Sequence, residues 1–278
     1  MVMRFTVNPS LLVGAALLGI IVGLAALADV YFPEDPFEMV GRPFLPPASA
    51  GFPLGTDTLG RDIAAGIAHG ARVSLAIGLI TAFFSTMLGV LIGGISGYYG
   101  GRVDSLLMRT TELFQTIPPF LFAIVVVAIL QPSLTTVISA IVIVSWAPLA
   151  RLVRGEVVSL RNREFVQGCI ALGMNDAWIL FRQILPNALP SIVVVASVAV
   201  ATSILFESGL SFLGLGDPNV MSWGLMIGVG RSVIRTAWWI AGIPGIAILI
   251  TVLSINLFGD GLNEAINPRS AHRVAARA

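Results

Sequence analysis

Lysine is absent: all sixteen basic residues of the 278-residue chain are arginine. A Walker A phosphate loop requires its lysine. The chain therefore holds no site of that kind, and any ATP chemistry must belong to another subunit. Cysteine occurs once, as Cys169, which excludes an intrachain disulfide. The two histidines, His69 and His272, lie far apart in sequence, and no His/Cys/carboxylate set has metal-ligand spacing. No Ser/His/Asp constellation stands out. Charge is scarce as well. Only 11% of residues are charged, against about 25% in soluble domains. The net charge of +1 leaves no nucleic-acid footprint.

Hydrophobic residues are 56% of the chain, so most of it must sit in lipid. A spanning helix needs about 20 apolar residues. Six segments qualify, at roughly 10–31, 73–97, 113–131, 134–150, 188–210 and 238–258. The apolar run from Leu11 to Val30 suits a span better than a signal peptide, because no clean small-residue cleavage site follows it. The expected fold class is an all-α polytopic membrane protein with six transmembrane helices. Basic residues concentrate in inside loops. With both termini cytoplasmic, eleven of the sixteen arginines fall inside. That orientation is the expected one.

It also puts Glu164 to Pro190, EFVQGCIALGMNDAWILFRQILPNALP, in the cytoplasm. Glu164 to Leu172 reads as a short helix with Phe165, Cys169 and Leu172 on one face. Gly173 ends it in the left-handed C′ conformation. Asn175 or Asp176 then caps a second helix, AWILFRQIL, which Pro186 is expected to close. A short rigid helix outside the bilayer can pass on a partner's motion as rigid-body movement. The plain alternative is an interfacial amphipathic helix without a partner. The arginines at 151, 154, 161 and 163 mark the membrane interface, facing lipid headgroups or an acidic partner surface.

Other stretches carry charge or glycine in a pattern. From Tyr31 to Arg72 the chain is rich in Pro and Gly and holds GTDTLGRD and GARVSL. From residues alone a solvated loop is the favoured reading; the alternative is a turn pinned by Asp57, Arg61 and Asp62. The glycines of GGISGYYGGRVDSLLMR allow close helix packing or a bend. Asp104, Arg109 and Glu112 there read as a polar helix end. Glu207, in ILFESGLSFLGLGDP, either lines a hydrophilic path or orients a partner, or else is a hydrated interfacial acid paired with an arginine. Trp223 belongs to SWG, on a re-entrant or surface-lying piece. Trp238 and Trp239 suit an interfacial aromatic belt.

These strings, in this order, resemble the dipeptide/oligopeptide/nickel permease family of the ABC importers. GTDTLGRD leading to GARVSL, GYYGGRVDSLLMR before Pro118-Pro119, FLGLG, SWG and GDGLNEAINPR each have a counterpart there, across most of the chain. Ala65, Gly66 and His69 stand where the family often has Ser-Arg and Tyr, and Asn263, Glu264 and Asn267 also depart from its pattern. The coupling stretch is similar to the family's EAA loop. Gln167-Gly168-Cys169 fills the E-A-A slots without matching them, Gln183 fills the Ile slot, and Gly173 and Leu185-Pro186 fit. The long segment before GTD resembles the second, C-type, permease of a pair.

The resemblance implies a type I (MetI-like) importer permease fold. It divides the chain into 1–72, a first helix plus extracytoplasmic segment; 73–262, the transmembrane domain, with its coupling loop at about 151–187; and 263–278, a cytoplasmic tail. It implies a non-catalytic subunit that forms half of a translocation pathway. The implied partners are a homologous second permease, two ATP-binding subunits that hold ATP and Mg, an extracytoplasmic solute-binding protein and bacterial inner-membrane lipid. Phe165, Gln167, Gly168, Cys169, Gly173, Leu185 and Pro186 then face the ATPase, while Glu207 and Trp223 belong to the pathway or its outer mouth. Two other classes compete. A secondary transporter or channel needs more intramembrane charge than Glu207 and Asp29 supply. A membrane enzyme needs a nucleophile or metal set that the chain does not display.

Overall fold

A computed structural model describes residues 9–266. The expectations placed on Arg4, Asn267, Arg269, His272, Arg273 and Arg277 lie outside the described residues. Among them the long elements are all helices, with a non-helical segment over 32–62. In order it forms α1 (Pro9–Ala26), α2 (Ala28–Tyr31), α3 (Ile63–Tyr99), α4 (Gly101–Thr116), α5 (Pro119–Leu130) and α6 (Leu134–Arg161). Then come α7 (Glu164–Ala171), α8 (Asp176–Trp178), a π-helical segment (Ile179–Ile184), α9 (Leu185–Phe212), α10 (Trp223–Gly230) and α11 (Trp239–Ile266).

Among the described residues five helices are long and apolar enough to cross a membrane, and a sixth crossing is found only if α4 and α5 count together. They do not form the straight span expected over 113–131. The pair bends by 79° at the break between Thr116 and Pro119. Pro118 has no N–H and Pro119 opens the next helix, so the ladder cannot run through. At about 1.5 Å per residue, α5 reaches about 18 Å, short of the ~30 Å hydrocarbon core. The second span also starts earlier than expected. Asp62 caps α3, its carboxylate accepting the Ala64 N–H at 2.9 Å. Burial holds the Asp62 carboxyl above the usual carboxylate range, against the lowering effect of the Ala64 and Ala65 amides.

α3 is the axis of the molecule. Gly89, Gly93 and Gly97 recur every four residues and face α6. A Cβ on Gly93 would lie 2.2 Å from the Ala150 carbonyl oxygen, so backbone meets backbone there. Gly100 and Gly101, both at positive φ, stand at the break between α3 and α4, whereas Gly93 and Gly97 serve packing. α1 uses the same device against α11: a Cβ on Gly14 would lie 2.5 Å from the Phe258 nitrogen, and one on Gly261 would lie 2.6 Å from Leu11 Cβ.

The segment between α2 and α3 is a built structure and not the solvated loop expected. Thr56 is fully buried; its hydroxyl donates to the Arg42 carbonyl at 2.6 Å and accepts the Leu45 N–H at 2.9 Å. Asp57 is buried too, and accepts the N–H groups of Leu59 and Arg61. Arg61 makes no ion pair among the described residues but stacks on Phe37, 4.9 Å from the ring centre. Gly55 and Gly60, both at positive φ, bring this turn against the Leu45 and Gly41 carbonyls. The Trp239 indole donates to the Thr56 carbonyl at 3.2 Å. Trp239 is thus buried, and of the two tryptophans expected in an interfacial belt Trp238 alone is exposed. His69 meets the Phe32 carbonyl at 2.9 Å, and Arg72 bonds Asp29 at 2.7 Å, tying α3 to α2 and the residue after it; Arg72 also donates to the Ala25 and Ala26 carbonyls at the end of α1.

Candidate functional site

Past the end of α6 the chain turns through Asn162 and enters α7. Val166 is fully buried and Cys169 half-buried; they pack with Val153, Val157, Ile179 and Leu180. The docked stripe is therefore Val166 and Cys169. Phe165 and Leu172, expected on one face with Cys169, instead point away from the core, and Leu172 is 77% exposed. Gly168 lies between them on that open side. The Gln167 side chain donates to the Arg161 carbonyl at 2.9 Å.

The two turns that shape the stretch are local. Gly173 stands at φ 72°. Its N–H bonds the Ile170 carbonyl, and the Met174 N–H bonds the Cys169 carbonyl at 3.2 Å. This pair of bonds is a Schellman cap, as a C′ glycine allows. Asn175, rather than Asp176, is the next cap: its side chain accepts the Ala177 N–H at 2.9 Å.

Pro186 does not close the second helix. α8, the π segment and α9 form one continuous apolar helix from Asp176 to Phe212. The Leu185 N–H bonds the Leu180 carbonyl, five residues back. This wider turn, just before the proline, takes up the register change that a missing N–H and a bulky ring impose. Leu185 is half-buried beneath α7, and Pro186 is exposed.

One contact clamps the stretch to the end of α3, and two more tie the helix ends to one another. The Tyr98 phenol, at the end of α3, donates to the Asp176 carboxylate at 2.8 Å. The Arg161 guanidinium sits 5.5 Å from the centre of the Tyr98 ring. One turn deeper, Asp104 takes both arms of Arg154, each at 2.5 Å, and the Ser96 hydroxyl. Asp104 is thus an interhelical tie between α4 and α6, not the polar helix end expected. The result is a rigid platform with Phe165, Ile170, Leu172, Met174, Trp178 and Phe181 exposed on it, beside the exposed Arg163 and Arg182. Contiguous exposed apolar side chains rimmed by charge mark an interaction surface. Replacing Tyr98 with Phe keeps the ring under Arg161 and removes the bond to Asp176. About 1 kcal/mol of local stability is expected to go with it. Amide exchange over 164–178 should then quicken about fivefold; unchanged exchange would dismiss the clamp.

Glu207 and Trp223 come together at the opposite end of α3. Trp223 is 1% exposed, in the core and not on a surface. Its indole donates to the Ile67 carbonyl at 3.0 Å, and its backbone N–H bonds the Ser74 hydroxyl at 3.1 Å. Glu207 is buried between α9 and α10, with no arginine paired to it among the described residues. It accepts the Ser211 and Ser222 hydroxyls at 2.8 and 2.7 Å.

Long apolar helices with an apolar platform at their ends suit a subunit of a membrane permease. The comparisons give the family. Residues 89–272 match the model of the binding-protein-dependent transport system inner membrane component. The di/tripeptide transport permease DppC of Pseudomonas aeruginosa is 38% identical over 95% of this chain and 90% of that protein. The oligopeptide transport permease OppC of Bacillus subtilis is 36% identical over 96% and 88%. The glutathione transport permease GsiD of Pectobacterium atrosepticum is 42% identical over 80% and 74%. A chain of the inward-facing methionine ABC transporter MetNI shares the fold, with a TM-score of 0.63 at 17% identity over 73% of this chain and 96% of that one. The chain belongs to the binding-protein-dependent transport system inner membrane component family, as a multi-pass, non-catalytic ABC-importer permease subunit. A subunit of that class works with ATPase and permease partners.

Proposed function

We propose that this chain forms half of the pathway of a peptide importer and takes dipeptides, oligopeptides or closely related small solutes across a bacterial cytoplasmic membrane. The relatives named for di/tripeptide and oligopeptide transport support that cargo. In this reading both termini are cytoplasmic. A homologous permease completes the pathway, two ATP-binding subunits bind ATP and Mg, and an extracytoplasmic binding protein delivers the solute. The observation that carries the reading is the apolar platform held on the ends of α3, α4 and α6. Phe165, Gln167, Gly168 and Cys169 of α7, the Gly173 turn and Leu185-Pro186 behind it form the lever that the ATPase pushes. Because Val166 and Cys169 tie α7 to Val153 and Val157, a push on α7 moves the end of α6 as a body. Binding of solute-loaded protein on one side and ATP on the other would bias two states of the pathway.

The test is a mild-detergent pull-down of the tagged chain from its native membrane, followed by reconstitution. A second permease and ATP-binding subunits should come down with it, and labelled dipeptide should enter liposomes only with ATP. A chain that came down alone and moved solute without ATP would overturn the reading.

A further inference from the structure

Glu207 is 3% exposed, and the two hydroxyls it accepts both reach Oε1. Oε2 is buried and has no hydrogen-bond partner among the described residues. The carboxylate is closely walled, since a Cβ on Gly224 would lie 2.7 Å from each of its oxygens. A buried carboxylate with one bare oxygen is costly unless something positive or hydrogen-donating faces it.

The same side chain lines a small cavity with Asp217, Ser222 and the apolar Val73, Ile77 and Leu134. The space suits about one water-sized occupant. Two carboxylates line it and no arginine or histidine does. Asp217 is held in place by the N–H groups of Leu134 and Asn219, each at 2.9 Å. Arg231, at the same end of the helices, donates to the Phe212 carbonyl and stacks over the Phe212 ring. The site is thus acidic, partly open beside the half-buried Asp217, and has no arginine or histidine in its lining.

We propose that this cavity binds one small monovalent cation of the sodium class, held by Glu207 Oε2, with Asp217 and the Ser222 hydroxyl completing the oxygen lining. Size rules out an organic ammonium. A divalent ion of the calcium or magnesium kind seeks six or more oxygens, and no group of three or more metal-ligating side chains occurs among the described residues. A neutral water would leave the Glu207 charge uncompensated unless its carboxyl held a proton, and in that case no saturable ²²Na⁺ binding would appear. The ion would join α9 to the turn before α10 and to the start of α6.

The test uses the transporter purified with its partner subunits, in choline buffer at low ionic strength, with ²²Na⁺ as the probe. Saturable binding should appear in the wild type, be displaced by Li⁺ and unlabelled Na⁺, and resist choline. Glu207→Gln should weaken it at least tenfold, and Asp217→Asn should weaken it measurably. Gel filtration reports whether each variant assembles. If Glu207→Gln does not, the half-buried Asp217→Asn and the wild-type competition series decide. No saturable ²²Na⁺ binding, or binding unchanged in the assembled variants, overturns the proposal.

Discussion

Replacing Gly168 with Trp is expected to abolish solute uptake while the chain stays in the membrane at its normal level. The reason lies in where the glycine stands. Phe165, Gly168 and Leu172 follow i, i+3, i+7 spacing and share the open side of α7. A Cβ at 168 meets nothing within 4 Å, so neither core nor backbone objects to a side chain there. The notch matters to whatever lies on the helix from outside. An indole would fill it and hold a partner off Phe165 and Leu172 together. Loss of a central apolar contact costs an interface about 2–4 kcal/mol, which is about 30- to 1,000-fold in affinity. Gly168→Ala is the control. It adds a methyl in free space and gains about 1 kcal/mol of helix propensity, so uptake should persist. Co-purification of the ATPase and uptake in vesicles should fall together in the Trp variant and in neither respect in the Ala variant. Normal uptake with Trp at 168 would remove α7 from the coupling path.

The parts of this site that were legible in the sequence are those governed by neighbours a few residues away. Gly173 as a C′ residue and a cap at Asn175 or Asp176 depend on bonds no longer than one turn; the first stands as read, and of the two cap candidates Asn175 is the one used. Hydropathy likewise located the long helices, because the need for an apolar length is independent of partners. Pro186 misled because a proline reads as a stop until the preceding turn is seen to widen and take up its missing N–H and its ring. The expected face of α7 was displaced for a related reason. The helix carries two apolar stripes, and periodicity cannot say which one the core takes; Val157 and Leu180 choose Val166. The tie between Asp104 and Arg154 joins residues 50 apart, and Tyr98 reaches Asp176 across 78. The turn around Thr56 reads as a solvated loop because its partners, Arg42 and Trp239, lie 14 and 183 residues away. Glu207 reads as an isolated acid in sequence, and its serines and Gly224 come from another helix or another turn.

Gly93→Leu should have the larger effect on the fold, and the chain is expected not to accumulate in the membrane. The Cβ alone would sit 2.2 Å from the Ala150 oxygen, 2.9 Å from the Arg154 nitrogen and 3.0 Å from Val153 Cβ. Two of these are backbone atoms of α6 and have no rotamer to retreat into. α6 would have to move off α3 as a unit. Gly89 and Gly97 hold it one turn away on either side, with Leu149 and Val157 at their surfaces. Overpacking a core costs about 1–3 kcal/mol when side chains can give way, so a clash against backbone belongs at or above the upper end. The displacement would also part Arg154 from Asp104 and lift Val153 and Val157 from the cluster under α7. Any chain that did fold would therefore have lost the seat of the platform proposed to couple to the ATPase. The neighbouring glycine supplies the contrast. A Cβ on Gly94 comes no nearer than 3.8 Å to anything, the far methyl of Leu185, so Gly94→Ala should accumulate and transport normally. Membrane-fraction immunoblots with protease protection read the first effect, and vesicle uptake reads the second. Wild-type levels and uptake for Gly93→Leu would show that α3 and α6 do not meet through their backbones. The same glycine stripe thus sets how far apart the two helices lie and whether a push on α7 has anything rigid to act upon.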